Sequence, residues 1–377
     1  MNENIASYFI ETASRVPNKT FLVSPGGEKF SYEEIYRKAR KFAYLLNDNG
    51  IKSGQRVILT FPNSVEYICA YLGLLLRGCT GILVDFRSRP DHLKYVYNNC
   101  EASIMVTPKE RSGFEEIPNQ LIFPSNLDEI PEIPENEIDM SSNPLALIMY
   151  TSGSTGIPKG VMLTHANLSH TIRSITEWAD INDNDRELTT LSLTHLFGLA
   201  HIHIYWKLGG TVFIEEKLGD IPGILKKIES EHITSFPGTP GGFKLILDQF
   251  SEQFKKYCRN LKYIIVNSAP MDEDYIKKIL ELLPNTRFYM YYGLTEASRS
   301  TRICYNEHTD KLKSVGTPTP GSEVIVGTSV DRLINEIGEI LIRGPHVTSG
   351  YWGMDSSEFF NNGWFKSGDL GIMDADG

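Results

Sequence analysis

Cysteine is scarce in this 377-residue chain, and what there is lies scattered: Cys69, Cys79, Cys100, Cys258 and Cys304. Their odd number and lack of paired spacing argue against a disulfide framework or a zinc ribbon. Four of them stand in apolar surroundings, so buried free thiols in a reducing compartment are expected. Long hydrophobic runs are lacking too. The longest, around Ile68 to Leu76, stops at Arg77 and is too short to span a bilayer, so no stable membrane insertion is expected. Met1 to Asn4 are polar and lack the basic and apolar regions of a signal peptide, and the chain reads as cytoplasmic. Positive charge is in deficit, with 37 Lys and Arg against 47 Asp and Glu, a formal net charge of −10. That balance speaks against nucleic acid or an anionic membrane as a main partner. It does not speak against a nucleotide, whose binding is decided by local charge in a cleft.

What is present is ordinary for a globular protein: 41% hydrophobic and 22% charged residues. The length allows two or more cores, since single cores stop growing near ~250–300 residues. Apolar runs bounded by turn residues read as strands at Arg56 to Thr60, Gly81 to Val84, Ser103 to Thr107 and Leu145 to Met149. Further strands follow at Thr211 to Ile214, Ile233 to Phe236, Leu261 to Val266 and Arg287 to Tyr291. Helical periods lie between them. Ser31 with Glu34 forms a capping-box signature ahead of Ile35, Ala39, Phe42 and Leu46 on one face. Asn63-Ser64 caps an apolar helix to Leu76, Thr164 caps one carrying Leu168, Ile172, Ile175 and Trp178, and others are read at Phe243 to Lys256 and Asp272 to Leu283. The alternation predicts an α/β protein with mainly parallel sheets. Phe123 to Pro144, rich in Pro and acidic residues, reads as an exposed connector. From Ser298 onward short strands and turns take over, at Glu323 to Val326, Glu339 to Arg343 and Asp369 to Met373. The final Asp376-Gly377 is a hairpin-turn dipeptide without a return strand, from which removal of a C-terminal portion is inferred.

One stretch concentrates the chemistry: Tyr150-Thr-Ser-Gly-Ser-Thr-Gly-Ile-Pro-Lys-Gly-Val-Met-Leu-Thr-His165. Gly153 and Gly156 free the backbone to turn its N–H groups outward, as a loop that wraps phosphate oxygens must. Thr151, Ser152, Ser154 and Thr155 add hydroxyl donors, and Lys159 adds a compact positive charge. A P-loop of the NTPase kind fails on spacing, because Lys159 lies between Pro158 and Gly160 and opens a strand-like run instead of a helix. The loop therefore serves phosphate in another architecture.

Three other stations carry possible chemistry. Tyr291-Tyr-Gly-Leu-Thr-Glu296 follows a strand, where an open α/β sheet places its ligands. An aromatic before Gly293 can stack on a base, Thr295 can bond a phosphate, and Glu296 can offer Mg²⁺ a hard oxygen. A core tyrosine pair beside a solvated Glu is the plainer alternative. Asp369, after a Gly turn, suits two neighbouring hydroxyls of a ribose, although a turn-capping aspartate is commoner. His195, in Thr194-His-Leu-Phe-Gly198, is by itself more often structural than catalytic. His201-Ile-His203 invites a metal reading, but sequence shows no further ligands beside it.

Taken in order, the phosphate loop, Thr194-His195, Asn267-Ser-Ala-Pro270, Tyr292-Gly-Leu-Thr-Glu296, Gly338-Glu-Ile-Leu-Ile-Arg-Gly344 and Lys366-Ser-Gly-Asp369 resemble the adenylate-forming superfamily. It includes acyl- and aryl-CoA synthetases, luciferases and nonribosomal peptide synthetase adenylation domains. The motif style is closest to acyl- or aryl-CoA and acyl-carrier-protein ligases. The resemblance implies two mainly parallel α/β subdomains, about 1–140 and 145–297, then a small β-barrel-like subdomain over 298–377. It also implies that the family's small C-terminal domain, with its own catalytic lysine, is absent. Carried over residue by residue, Thr151, Ser152, Gly153, Ser154, Thr155, Gly156 and Lys159 would hold the β- and γ-phosphates. Ala269, Pro270, Met290, Tyr291, Tyr292 and Gly293 would line the adenine, and Asp369 would hold the ribose. Thr295, Glu296 and Lys159 would be catalytic, with Glu296 and Thr151 on Mg²⁺. His195, Phe197, Phe236, Gly238, Gly242, Asn267 and Ser268 would enclose the acid, Asn267-Ser268 departing from the familiar Gly-Gly or Gly-Ala.

The implied reaction joins a small-molecule carboxylic acid to the α-phosphate of ATP and passes the acyl group to coenzyme A or phosphopantetheine. An acyl carrier protein is then a possible partner. Amino-acid adenylation domains place an Asp where this chain has Thr194 to Phe197, so an acid without an α-amine is expected: a buried ammonium without a partner is costly. The alternatives are an amino-acid adenylation domain or a non-catalytic binder of nucleotide or acyl-AMP.

Overall fold

Fully apolar strands that show no in–out alternation need cover on both faces, and this sequence supplies it with helices. Thr80–Leu83 and Tyr263–Val266 are buried at every position. In the computed structural model, which describes residues 4–140, 143–152, 157–329 and 331–377, they belong to two different sheets.

The larger sheet has nine strands in the order Thr317–Pro318, Thr301–Cys304, Arg287–Tyr292, Tyr263–Val266, Ser235–Gly238, Arg186–Thr189, Thr211–Ile214, Thr20–Val23 and Lys29–Ser31. Its middle is parallel, and its edges are antiparallel. The smaller has six, Gln120–Ile122, Ile104–Thr107, Arg56–Leu59, Thr80–Leu83, Leu145–Ser152 and Pro158–Thr164, parallel except for the last pair. A third, antiparallel sheet joins Glu323–Val326, Ile337–Arg343, Trp364–Ile372 and Phe360–Asn361. Its outer strands do not pair with each other, so it is an open sheet and not a closed barrel.

The sheets do not divide where the sequence suggested, near 140–145. Thr20–Val23 and Lys29–Ser31 pair into the nine-stranded sheet, while Leu145–Ser152 and Pro158–Thr164 complete the six-stranded one. The physical reason is the core. Helices Val65–Leu76 and Leu196–Leu208 are apolar all round, with eleven of the first helix's twelve residues buried, so neither can face solvent. They pack together between the sheets: Tyr71 stacks on Trp206 at 5.6 Å, and the Tyr67 hydroxyl donates to the Leu193 carbonyl at 3.0 Å. One continuous hydrophobic cluster therefore includes Val57 and Leu147 of one sheet with Val212 and Ile265 of the other.

Local signals are realised where they are local. Ser31 accepts from the Glu34 amide while Glu34 accepts from the Ser31 amide, closing the expected box. Thr164 caps His165–Trp178 in the same way with Asn167. Three expectations change. The helix over 243–256 is two helices, Pro240–Gln249 and Ser251–Tyr257, broken at Phe250. The strand at 233–236 lies two residues later, at Ser235–Gly238. The connector is not simply exposed: Ile133 and Phe123 are buried, Arg40 donates to the Ile133 carbonyl, and Lys41 to that of Leu127. Among the described residues no helix is long and apolar enough to cross a membrane. All five cysteines are free and buried, and burial pushes the Cys69 and Cys79 thiols up to about 12.

Candidate active site

The strand Arg287–Tyr292 ends against Gly293, and the chain turns at once, with the Leu294 and Ala297 amides each donating to the other's carbonyl. Only glycine fits there, because a Cβ on Gly293 would stand 2.4 Å from the Arg299 nitrogen. The turn lifts Thr295 and Glu296 to the carboxyl end of the sheet. The backbone and side chain of Glu296 are both tied: its carbonyl accepts from Thr348 N–H at 2.7 Å, and Oε1 accepts from the Tyr351 hydroxyl at 2.9 Å. Burial, then the charge of Glu296, raises the Tyr351 phenol above its ordinary value and keeps it a donor.

The neighbouring strand Tyr263–Val266 runs out into Asn267 and Ser268. Ser268 sits at φ +89°, and the Asn267 amide donates to the Tyr291 carbonyl at 2.7 Å, closing the gap between strand ends. Period-two alternation separates the tyrosines. Tyr291 turns its ring inward, edge-on to Phe197 at 5.5 Å and beneath the buried Arg299 at 4.7 Å. Tyr292 faces the groove along Ala269 and Pro270, and its hydroxyl donates to Asp369 Oδ2 at 2.8 Å. Burial raises that phenol, and acceptance by Asp369 supports the same direction. Asp369 is presented by an irregularity in Trp364–Ile372 after Gly368, which has φ +75°.

From the six-stranded sheet, the hairpin pairs Thr151 with Lys159. Lys159 Nζ lies 4.5 Å from the ring centre of Phe359 and 5.5 Å from that of Tyr351, within cation–π reach of both. Gly153, Ser154, Thr155 and Gly156, and the side chain of Ser152, fall outside the described residues.

These parts surround one cleft of about 960 Å³, lined by Thr151, Lys159, Thr295, Glu296, Asp369, Asn267 and Gly293 among others. A groove of about 640 Å³ along Ala269, Pro270, Met290 and Tyr292 shares Tyr291, Gly293 and Asp369 with it. A separate apolar pocket of about 260 Å³ has walls from Phe236, Gly238, Gly242, Phe243 and Ile246. His195, Phe197 and Ser268 line both the cleft and this pocket, and so stand at its mouth. His195 is exposed at the start of helix Leu196–Leu208 and makes no side-chain cap.

Three cleft residues escaped sequence reasoning, Tyr351, Phe359 and Glu358, while Glu339 and Ser367 stood in signature segments without being given a role. For Tyr351 a signal existed, an aromatic pair between Gly350 and Gly353, but its contact with Glu296 spans 55 residues. The histidines at 201 and 203 do not act as a pair. His201 Nδ1 meets the buried Glu187 carboxylate at 2.9 Å, and His203 Nε2 meets the Tyr71 hydroxyl at 3.0 Å. Glu187 is a buried carboxylate that periodicity concealed, and it also accepts from Ser235 at 2.9 Å.

A cleft that gathers Thr151 and Lys159 of one hairpin, a carboxylate, a turn aspartate and an apolar pocket agrees with the match of residues 9–352 to the family of AMP-binding enzymes. The chain belongs to that family. It is thus a member of the adenylate-forming superfamily of acid–thiol ligases. Feruloyl-CoA synthase from an Amycolatopsis species is 27% identical over 392 residues, covering all of this chain and 77% of the relative. The structure of the N-terminal domain of FACL13 from Mycobacterium tuberculosis superimposes with a TM-score of 0.90 at 23% identity, covering 100% of this chain and 98% of that one. O-succinylbenzoate coenzyme A synthetase (MenE) from Bacillus subtilis, in complex with ATP and a magnesium ion, superimposes with a TM-score of 0.87 at 23% identity over 98% of this chain and 78% of that one. This AMP-binding enzyme therefore has the fold of an adenylate-forming N-terminal domain.

Proposed function

We propose that this enzyme activates a carboxylic acid with ATP and serves transfer of the acyl group to a thiol of coenzyme A or phosphopantetheine. A carboxylate oxygen attacks the α-phosphorus, the bond to pyrophosphate breaks, and the acyl-adenylate remains. One observation carries the reading: the polar cleft and the apolar pocket meet at His195, Phe197 and Ser268, so a nucleotide and an acid can meet end to end. In this reading the Ala269–Pro270 and Tyr292 groove takes the adenine and Asp369 the ribose. Thr295 serves the α-phosphate, while Thr151 and Lys159 face the leaving pyrophosphate. Two anions must approach, and preorganised donors lower that barrier.

The oxygen donors at the cleft fit magnesium. It favours few protein ligands completed by phosphate oxygens, and Glu296 and Thr151 offer one carboxylate and one hydroxyl in the same cleft. When bound there, the ion would neutralise phosphate charge. MenE in complex with ATP and a magnesium ion is in keeping with a metal that accompanies the nucleotide.

The acid is compact and uncharged beyond its carboxylate. The residues lining the small pocket include no Asp, Glu, Lys or Arg, so an α-ammonium would be buried unpaired. Its volume of about 260 Å³ suits an aryl or short acyl group, in keeping with the feruloyl named for one relative.

Thermal shift against AMP and non-hydrolysable acyl-AMP mimics tests this. At 100 times its Kd a ligand adds about 2.7 kcal/mol of stability. Aryl and short acyl mimics should stabilise the protein well beyond AMP, and aminoacyl mimics should not. No response to any adenosine ligand would overturn the proposal.

A further inference from the structure

The segment Val347–Trp352 lies across the cleft's two halves. On one side Val347 bridges Ala297, and Thr348 N–H holds the Glu296 carbonyl at 2.7 Å. On the other, Tyr351 bridges Val161, the Met162 amide donates to Gly350 at 3.0 Å, and the Trp352 amide to Gly160 at 2.7 Å. The same six residues therefore fasten the turn that carries Glu296 to the strand that carries Lys159. Tyr351 is the member whose side chain enters the cleft. Its hydroxyl donates to Glu296 Oε1 at 2.9 Å, and its ring packs edge-on against Phe359 at 4.7 Å. Lys159 Nζ stands over that pair of rings.

Resting on the adenylation reading, we infer that Tyr351 is a positioning residue that orients Glu296 toward the magnesium of the bound nucleotide. A carboxylate with two free oxygens turns about its last bond and binds a cation in several ways. A donor fixed on Oε1 removes that freedom and leaves Oε2 for the ion. Magnesium demands near-octahedral geometry and keeps several waters, so a ligand held to one oxygen suits it. Partners that orient a metal ligand are typically worth 10–100-fold in metal affinity. Because Tyr351 belongs to the segment that also pairs with the hairpin, the orientation of Glu296 is coupled to the position of Lys159's strand.

The test is a magnesium titration of the binding of α,β-methylene-ATP, a non-hydrolysable analogue, by calorimetry. Tyr351→Phe keeps the ring, and with it the packing against Phe359 and the site under Lys159. It should raise the half-saturating magnesium concentration about tenfold, while affinity for AMP without metal stays within twofold. Glu296→Gln should raise the half-saturating magnesium concentration at least as far, and adding Tyr351→Phe to it should change nothing more. A half-saturation in Tyr351→Phe within twofold of the wild type overturns the positioning role. If binding by the wild type is itself indifferent to magnesium, the adenylation reading falls, and the positioning role with it.

Discussion

On the side of the cleft proposed for the nucleotide, three groups are held by polar contacts from distant segments: Glu296 by Tyr351, Asp369 by Tyr292, the Tyr291 carbonyl by Asn267. In the apolar pocket one such contact, from the Asn63 amide to the Leu191 carbonyl at 2.7 Å, fixes a backbone edge, and the larger side-chain walls are apolar. Phe236, Phe243 and Ile246 belong to the core cluster beneath the sheet, and the space exists because Gly238 and Gly242 leave it unfilled. One half depends on hydrogen bonds whose loss leaves a charged group loose. The other depends on volume. The chemistry and the choice of acid are thus open to separate change, and substitutions that affect one half should spare the other.

The largest effect should come from Glu296→Gln, which keeps size and removes charge. Magnesium-dependent pyrophosphate exchange should fall by roughly 10²–10³-fold, as for loss of one preorganised electrostatic group. AMP binding without metal and the ranking among acyl tails should stay as they are. A changed ranking would break the division between the halves. Next is Gly242→Val on the acyl side. A Cβ at Gly242 would stand 3.3 Å from Leu218 Cδ2, so a branched side chain intrudes on the pocket. Competition between tails should shift toward shorter acids by roughly 10–200-fold for each methylene excluded, with ATP affinity unchanged.

The smallest effect concerns pH. Burial pushes the imidazoles down from their ordinary range, His203 to about 3 and His165 and His346 to about 4. The unfolded chain binds these protons first, so stability is complete above about 6.5 and is lost as pH falls from there toward 4. The ring nitrogens of His346 meet the Ser300 and Ser322 hydroxyls at 3.0 and 3.3 Å. Urea unfolding at pH 7.5 and 6.0 should show His346→Asn losing less stability than the wild type, by roughly 1 kcal/mol. Equal losses would exclude a buried neutral His346.

The legible parts of the sequence were those decided within a few residues. The Ser31–Glu34 box, the Thr164 cap and the apolar runs at Tyr263–Val266 and Thr211–Ile214 are local, and the structure reproduces them. The signature segments found the cleft because their residue types are unusual together. Contacts across long spans left no local trace. Nothing near Thr20 announces a partner at Thr211, and nothing near Glu296 announces Tyr351. Phe250 carries no breaker, yet the helix there divides, since its φ of −134° departs from helical geometry. The tyrosine pair was within reach of reasoning: strand alternation alone sends Tyr291 inward and Tyr292 to the opposite face, toward the groove along Ala269 and Pro270.

The far edge of the nine-stranded sheet also sets a schedule. The Thr211 hydroxyl donates to the Thr20 carbonyl across 191 residues, and Leu22 pairs with Val212. At a ribosome's pace of about 5–20 residues per second, Thr20–Val23 emerges roughly 10–40 s before the strand it must join. For that interval an apolar strand has no sheet to enter. The six-stranded sheet, finished by Thr164, is complete earlier. The nascent chain therefore builds one edge of its larger sheet from its own beginning, and helpers that shield unpaired strands would act in that gap.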